Sequence, residues 1–141
     1  MSRPLLVSTG DPAGVGPVVA ARAARQIDAP AILFGDAARL HALDPTLRVR
    51  DTGAVEGATM ALHAPSPAGG LAQLAALDAA IDAAIDGEGR ALVTAPTCKE
   101  AIERAGTPFT GQTEHLARRA GLADDAVTML FLGPRLRVAL V

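Results

Sequence analysis

The chain alternates short apolar runs with longer stretches of helical spacing. Leu5-Leu6-Val7-Ser8-Thr9 is the first run and reads as a buried strand. After a glycine-bearing turn, a helix is predicted from about Pro17 to Gln26, with Val18, Val19, Ala23 and Ile27 available for one face. Pro30 breaks it, and Ala31-Ile32-Leu33-Phe34 forms a second strand closed by Gly35-Asp36. This is the strand–helix–strand signature of a βαβ unit. Asp36 is placed to cap a short helix through Leu43, and Leu47 to Asp51 is a short strand candidate. The segment 52–70 is rich in Gly and Pro; it reads as loops with one short strand near Met60 to His63, and it is a candidate sub-boundary. A helix follows with Leu71, Leu74, Asp78, Ile81 and Ile85 at helical spacing, ended by Gly87 and Gly89. Ala91 to Thr94 is the next strand. Thr97-Cys98-Lys99-Glu100 fits a capping box, with Thr97 at the cap of a helix that stops near Gly106. A further short helix spans Thr113 to Ala120. Val127 to Leu132 and Leu136 to Val141, joined at Gly133-Pro134, read as an antiparallel hairpin. The pattern predicts an α/β protein with an open, mainly parallel sheet, βαβ units and a C-terminal antiparallel hairpin.

Composition narrows the partners. The formal net charge is −2, which gives no electrostatic reason to expect nucleic acid or an anionic membrane. Three Phe with no Trp or Tyr supply few stacking platforms for bases. The apolar run before Ser8 is too short for a signal-peptide core, and no stretch approaches the roughly 18 consecutive apolar residues of a membrane span. The expected location is therefore the cytoplasm. Cys98 is the only cysteine, so an intrachain disulfide and a cysteine zinc cluster are excluded. The sequence closes on the apolar Val138-Ala139-Leu140-Val141 without a polar tail; residues 1–141 are expected to be the N-terminal part of a longer protein.

Candidate chemistry gathers at three turns. The first is Ser8-Thr9-Gly10-Asp11-Pro12-Ala13-Gly14-Val15-Gly16-Pro17, between strand and helix. It has neither the Gly-Lys-Ser/Thr ending of a P-loop nor the dinucleotide glycine spacing. Its three glycines are expected to take positive φ and let the backbone approach a bound group. The N–H groups at the helix start favour an anion, whereas Asp11 brings a negative charge. Residue chemistry leaves two readings open: a plain tight turn, or a pocket wall containing Asp11 and Gly14. The second turn, Thr94-Ala95-Pro96, also follows a strand, at the carboxyl end where open parallel sheets bind ligands. Lys99 just beyond it can meet a phosphate or carboxylate or be an ordinary solvated lysine, and Glu100 is read as engaged in capping. In the third turn, Gly111-Gln112-Thr113-Glu114, the Gln112 amide and Thr113 hydroxyl suit an anionic ligand at a helix N-terminus. The alternative is that Thr113 only caps that helix and Glu114 only complements its dipole. His41, His63 and His115 lack metal-ligand spacing; His41 and His63 read as structural or exposed, and His115 as a surface helix residue beside the third turn. Cys98 at a helix start beside Lys99 would favour thiolate, but no histidine can be placed beside it, which argues against acyl or phospho transfer.

These blocks resemble the 4-hydroxythreonine-4-phosphate dehydrogenases of pyridoxal-phosphate biosynthesis. Ser8 to Pro17 is similar to their N-terminal signature. Leu92-Val93-Thr94-Ala95-Pro96 with Lys99-Glu100-Ala101-Ile102 is similar to their second block, Ala105 to Glu114 to their third and Leu136 to Leu140 to a fourth. The resemblance implies part of a two-domain fold similar to isocitrate and isopropylmalate dehydrogenases, acting as a cytoplasmic homodimer. It implies NAD or NADP as cofactor and a divalent metal (Zn, Mg or Co) held by three histidines, in oxidation and then decarboxylation of 4-phosphohydroxy-L-threonine. It carries Gln112 and Thr113 over as substrate-binding residues, with Asp11, Gly14, Thr94 and Lys99 as pocket wall. The family pattern has histidine where Gln112 stands, which opens the alternative of another phosphorylated or diol substrate. The family is more than twice as long, and its metal histidines would all lie beyond Val141, so the resemblance assigns no catalytic and no metal residue to this chain. A non-catalytic remnant that binds a small anion or dimerises is the other alternative.

Overall fold

The structure is a computed structural model describing residues 2–53, 64–123 and 126–140. Its elements run β1 (Leu5–Ser8), α1 (Gly16–Gln26), β2 (Ala31–Gly35), α2 (Ala37–Leu43), β3 (Val49–Asp51), α3 (Pro67–Ile85), β4 (Ala91–Thr94), α4 (Lys99–Arg104), α5 (Gln112–Arg119), β5 (Met129–Leu132) and β6 (Arg137–Leu140). Contacts divide the chain into two compact units, Met1–Pro108 and Phe109–Val141. The segment 52–70, expected as a sub-boundary, lies within the first. The strand expected near Met60 to His63 lies outside the described residues.

In the first unit, four parallel strands stand in the order β3-β2-β1-β4. Successive side chains of a strand point to opposite faces. Leu6 and Phe34 therefore pack with Ala76, Ala80 and Ala83 of α3 on one face, while Val7 and Leu33 pack with Ala20 of α1 and Leu40 of α2 on the other. Strands covered on both faces must be apolar throughout, which is why β1 and β2 read as unbroken runs. The order also marks a switch point: from β1 the chain moves outward through β2 and β3, and α3 then carries it back to β4 on the opposite side of β1.

Several expected faces are corrected. In α1 the buried residues are Gly16, Ala20 and Ala21, whereas Val18, Val19 and Ile27 are exposed, because small alanines allow the helix to lie close on the sheet. α3 begins at Pro67, inside the expected loop, with Ser66 Oγ accepting from Gly69 N at 3.1 Å. Its buried side is Gly70, Gln73, Ala76, Leu77, Ala80 and Ile81; Leu71 and Ile85 are exposed. An alanine-rich helix is apolar on every side, so periodicity fixes its orientation weakly. By length and composition α3 passes as a membrane-crossing helix, against the expectation that no stretch would. Its packing on β1 and β2 marks it as the core helix of this unit.

Side chains secure both ends of α2. Asp36 Oδ1 caps α2 by accepting from Arg39 N at 3.1 Å, as expected. At the other end Asp44, 7% exposed, accepts from Thr46 N at 2.9 Å and Thr46 Oγ1 at 2.7 Å, and its Oδ2 faces Arg25 Nε at 3.3 Å. The Thr46 bonds first, and the Arg25 charge after them, hold the Asp44 carboxyl below the usual aspartate range. At the β3 edge, Arg50 lies over the Phe34 ring at 5.1 Å and makes a two-pronged bond to Glu88.

In the second unit, β5 and β6 pair antiparallel from Met129↔Leu140 to Leu132↔Arg137, the expected hairpin. Every residue of both strands is exposed, and nearly all are apolar.

Because the folded-state pKa of Asp44 is depressed, its charged form stabilises the fold above the ordinary aspartate value of about 3.9. That contribution disappears as pH falls through the lower folded value. Asp44→Asn should therefore be less stable than the parent at neutral pH, with the difference narrowing in acid. Denaturant midpoints across this range measure it; an equal deficit at every pH would reject the charge-based account.

Candidate active site

The turns after β1 and β4 meet at the switch point of the sheet, where parallel α/β proteins bind ligands. Asp11 N donates to Pro96 O at 3.0 Å, and Ala95 N donates to Ser8 O at 2.9 Å. Gly10 has φ 72°, and a Cβ there would collide with the Pro96 carbonyl oxygen. Only a residue without a side chain allows this approach. The expectation that all three glycines of the first turn take positive φ is corrected: Gly10 does, Gly14 and Gly16 do not. A Cβ at Gly14 would find its nearest neighbour, Asp11 O, at 3.5 Å, an ordinary contact.

The polar side chains of this turn are largely engaged in building it. Asp11 Oδ1 accepts from Ala13 N at 2.9 Å, an Asx turn. Buried Thr9 donates through Oγ1 to Phe34 O at 2.8 Å. Arg39 Nη1 reaches Pro12 O at 3.4 Å. Beside the two turns, Val7, Val19, Ala23, Ile27, Val93 and Pro96 line an apolar cavity of about 280 Å³.

The capping box expected at α4 is not used. The cap position is Cys98, with no side-chain cap bond, and Glu100 instead pairs with Arg104 at 2.6 Å, four residues on. What holds the start of α4 is Gln73 of α3, whose carboxamide bonds both the N–H and the C=O of Cys98. No local sequence pattern announces that contact, because the partners lie 25 residues apart. Lys99 pairs with Glu103 at 3.6 Å on an exposed surface. Thr94 ends β4, half-buried, at the mouth of the second turn.

The third turn belongs to the second unit. Gly111 is the cap residue of α5 and makes no side-chain cap bond, so Gln112 and Thr113 are the first two helical residues and Thr113 is not the cap. Both are half-buried. Glu114 lies in the first turn, favourable to the helix dipole. Arg118 Nη2 donates to Thr110 Oγ1 at 3.2 Å, and the His115 ring lies 5.5 Å from that of Phe109. These contacts fold the loop onto its own helix and give His115 a packing role. Among the described residues no three His, Cys, Asp or Glu side chains converge as a metal site.

Residues 12–141 match the family model described as pyridoxal phosphate biosynthetic protein PdxA. The chain belongs to the PdxA family. It is 41% identical to the 4-hydroxythreonine-4-phosphate dehydrogenase of Chromobacterium violaceum over 98% of this chain and 48% of that protein. It is 40% identical to that of Burkholderia vietnamiensis over 96% and 46%. The chain thus spans about half the length of the relatives it matches. Among solved structures, a 4-hydroxythreonine-4-phosphate dehydrogenase from Burkholderia phymatum aligns with TM-score 0.85 at 25% identity, over 99% of this chain and 49% of that one. A terephthalate 1,2-cis-dihydrodiol dehydrogenase from Burkholderia xenovorans aligns with TM-score 0.78 at 26% identity, over 99% and 47%. The expected part of a dehydrogenase-like α/β fold is thereby found in a PdxA chain.

Gly10→Ala should destabilise the chain by about 1–3 kcal/mol, from the positive φ and the collision at Pro96. Gly14→Ala should stay within about 0.5 kcal/mol of the parent. Equal costs in urea denaturation would contradict this assignment of roles within the turn.

Proposed function

We propose that this chain forms one wall of the active site of an oxidoreductase acting on 4-hydroxythreonine-4-phosphate in pyridoxal-phosphate biosynthesis, in the cytoplasm and as a homodimer. The observation that carries the reading is PdxA membership together with the contact between the two turns at the sheet's switch point. In this reading the first two turns shape the wall through Gly10, Asp11, Gly14 and Thr94, with Lys99 at its margin. Within the second unit, the Thr113 hydroxyl and Gln112 amide, with the N–H groups opening α5, are the donors assigned to an anionic group. NAD or NADP would accept the hydride when bound. The described residues do not fit a metal ion, so no step by them is routed through one, and the residues completing the chemistry are assigned to the part of the family protein that this chain does not span.

A second reading has a specific observation behind it. Gln112 stands where the resemblance expects histidine, and an amide donates a hydrogen bond without carrying charge or a mobile proton. The likeness to a cis-dihydrodiol dehydrogenase makes a vicinal cis-diol the alternative substrate.

The test is co-expression with the part of the Chromobacterium violaceum relative that this chain does not cover. The assembled pair should reduce NAD or NADP with 4-hydroxythreonine-4-phosphate and a divalent metal, and the 141-residue chain alone should not. Thr113→Ala in the pair should lower kcat/KM about tenfold, equivalent to about 1.4 kcal/mol. Oxidation of a cis-diol but not of the phosphate ester would transfer the assignment to the second reading. Unchanged kinetics in the Thr113 variant would remove that residue from the site.

A further inference from the structure

We propose that Gln73 is a positioning residue, whose buried carboxamide sets the backbone of the turn after β4 and, through it, the turn after β1. The consequence for catalysis rests on the functional reading above, but the clasp itself does not.

Gln73 is 0% exposed, on the side of α3 that is otherwise Gly, Ala, Leu and Ile. A buried amide left unpaired costs about 1–3 kcal/mol, so its partners are a strong constraint. Its Oε1 accepts from Cys98 N at 2.7 Å and its Nε2 donates to Cys98 O at 3.3 Å. One side chain thus brackets the N–H and the C=O of a single residue, in the extended backbone just before α4. The approach is made possible one turn earlier: a Cβ at Gly70 would collide with the backbone of Ala101. Ala101 and Ile102 are fully buried at that contact. The clasp also stands where the capping box was expected: Cys98, the cap residue, makes no side-chain cap bond, and Gln73 of α3 holds its N–H and C=O. Two residues upstream of Cys98, Pro96 presents the carbonyl that accepts from Asp11 N at 3.0 Å. Proline has no N–H with which to anchor the turn itself. The path from Gln73 to the Gly10 turn is therefore Cys98, the short backbone to Pro96, and the Asp11 bond.

Hydrogen exchange by mass spectrometry on the 141-residue chain tests this without any turnover. Gln73→Met keeps an apolar side chain of similar length but lacks both hydrogen-bonding groups. Exchange protection should fall about tenfold or more in peptides carrying Cys98 and Asp11 and stay within about twofold in a peptide covering Leu33 and Phe34. Gln73→Glu adds a readout that a packing role would not give. Its protonated carboxyl offers an acceptor and a donor, as the amide does, whereas its ionised form can only accept and faces the Cys98 carbonyl. Burial favours the neutral form. Protection relative to the parent at the same pH should be near normal in acid and lost as pH rises through that carboxyl's pKa. The charged groups opening α4, Lys99 and Glu100, are exposed and paired with Glu103 and Arg104. Unchanged protection at Cys98 in the Met variant, or a flat pH profile in the Glu variant, would reject the clasp. Loss at Cys98 with Asp11 unaffected would reject the relay, and an equal loss in the Leu33 peptide would reduce Gln73 to core packing. If the Met variant does not fold, the pH series of the Glu variant decides alone. Normal exchange effects beside an inactive assembled pair would sink the functional reading and leave the clasp standing.

Discussion

Two stretches of backbone, after β1 and after β4, touch with no side chain between them, and the first unit is arranged around that contact. Asp11 N reaches Pro96 O only because position 10 is glycine in a left-handed conformation. The contact requires β1 and β4 to be parallel neighbours, with Ser8 opposite Thr94. Since the chain has already left β1 for β2, β4 can reach that place only after α3 has crossed the other face of the sheet. The two helical layers follow: α1 and α2 on one side, α3 on the other. The same contact leaves two turns side by side at the carboxyl edge, which is the geometric requirement for a shared pocket wall.

How much of this was legible depends on how local the determinant is. β1 and β2 could be read because a strand buried on both faces has to be apolar; β4, although partly exposed, falls on the expected residues 91–94. The Asp36 cap could be read because donor and acceptor lie three residues apart. Helix faces could not, since alanine carries almost no directional signal: Val19 and Ile27 look like core positions in α1, yet Ala20 and Ala21 fill the core. The capping box at Thr97 to Glu100 is a local pattern overridden by one tertiary contact, Gln73 at the helix start, and by one pair within the helix, Glu100 with Arg104. The glycines of the first turn are legible as a group but not individually: a Cβ at Gly10 would strike Pro96 O, far away in sequence, one at Gly16 would strike Thr9 O, and one at Gly14 would strike nothing.

The candidate site divides its residues by work. Asp11, the most suggestive side chain of the first turn, gives one carboxylate oxygen to Ala13 N and so serves the shape of the turn. Thr9 serves the sheet in the same way. A rigid wall built from backbone and short tethers holds its position precisely but contributes little acid–base chemistry. The donors that suit an anion lie instead at the start of α5, where no side chain caps the helix.

The hairpin carries an exposed apolar surface. A parallel sheet hides apolar strands beneath helices, and β1 and β2 are hidden in that way. β5 and β6 are just as apolar, with Phe131 opposite Val138 and Leu130 opposite Ala139, yet both faces of the hairpin are exposed. A surface hairpin would alternate apolar with polar residues, and an isolated pair of strands is marginally stable in water. The composition is that of strands inside a larger sheet. The curated relatives are about twice as long as this chain, so additional polypeptide is available within the family to provide such cover.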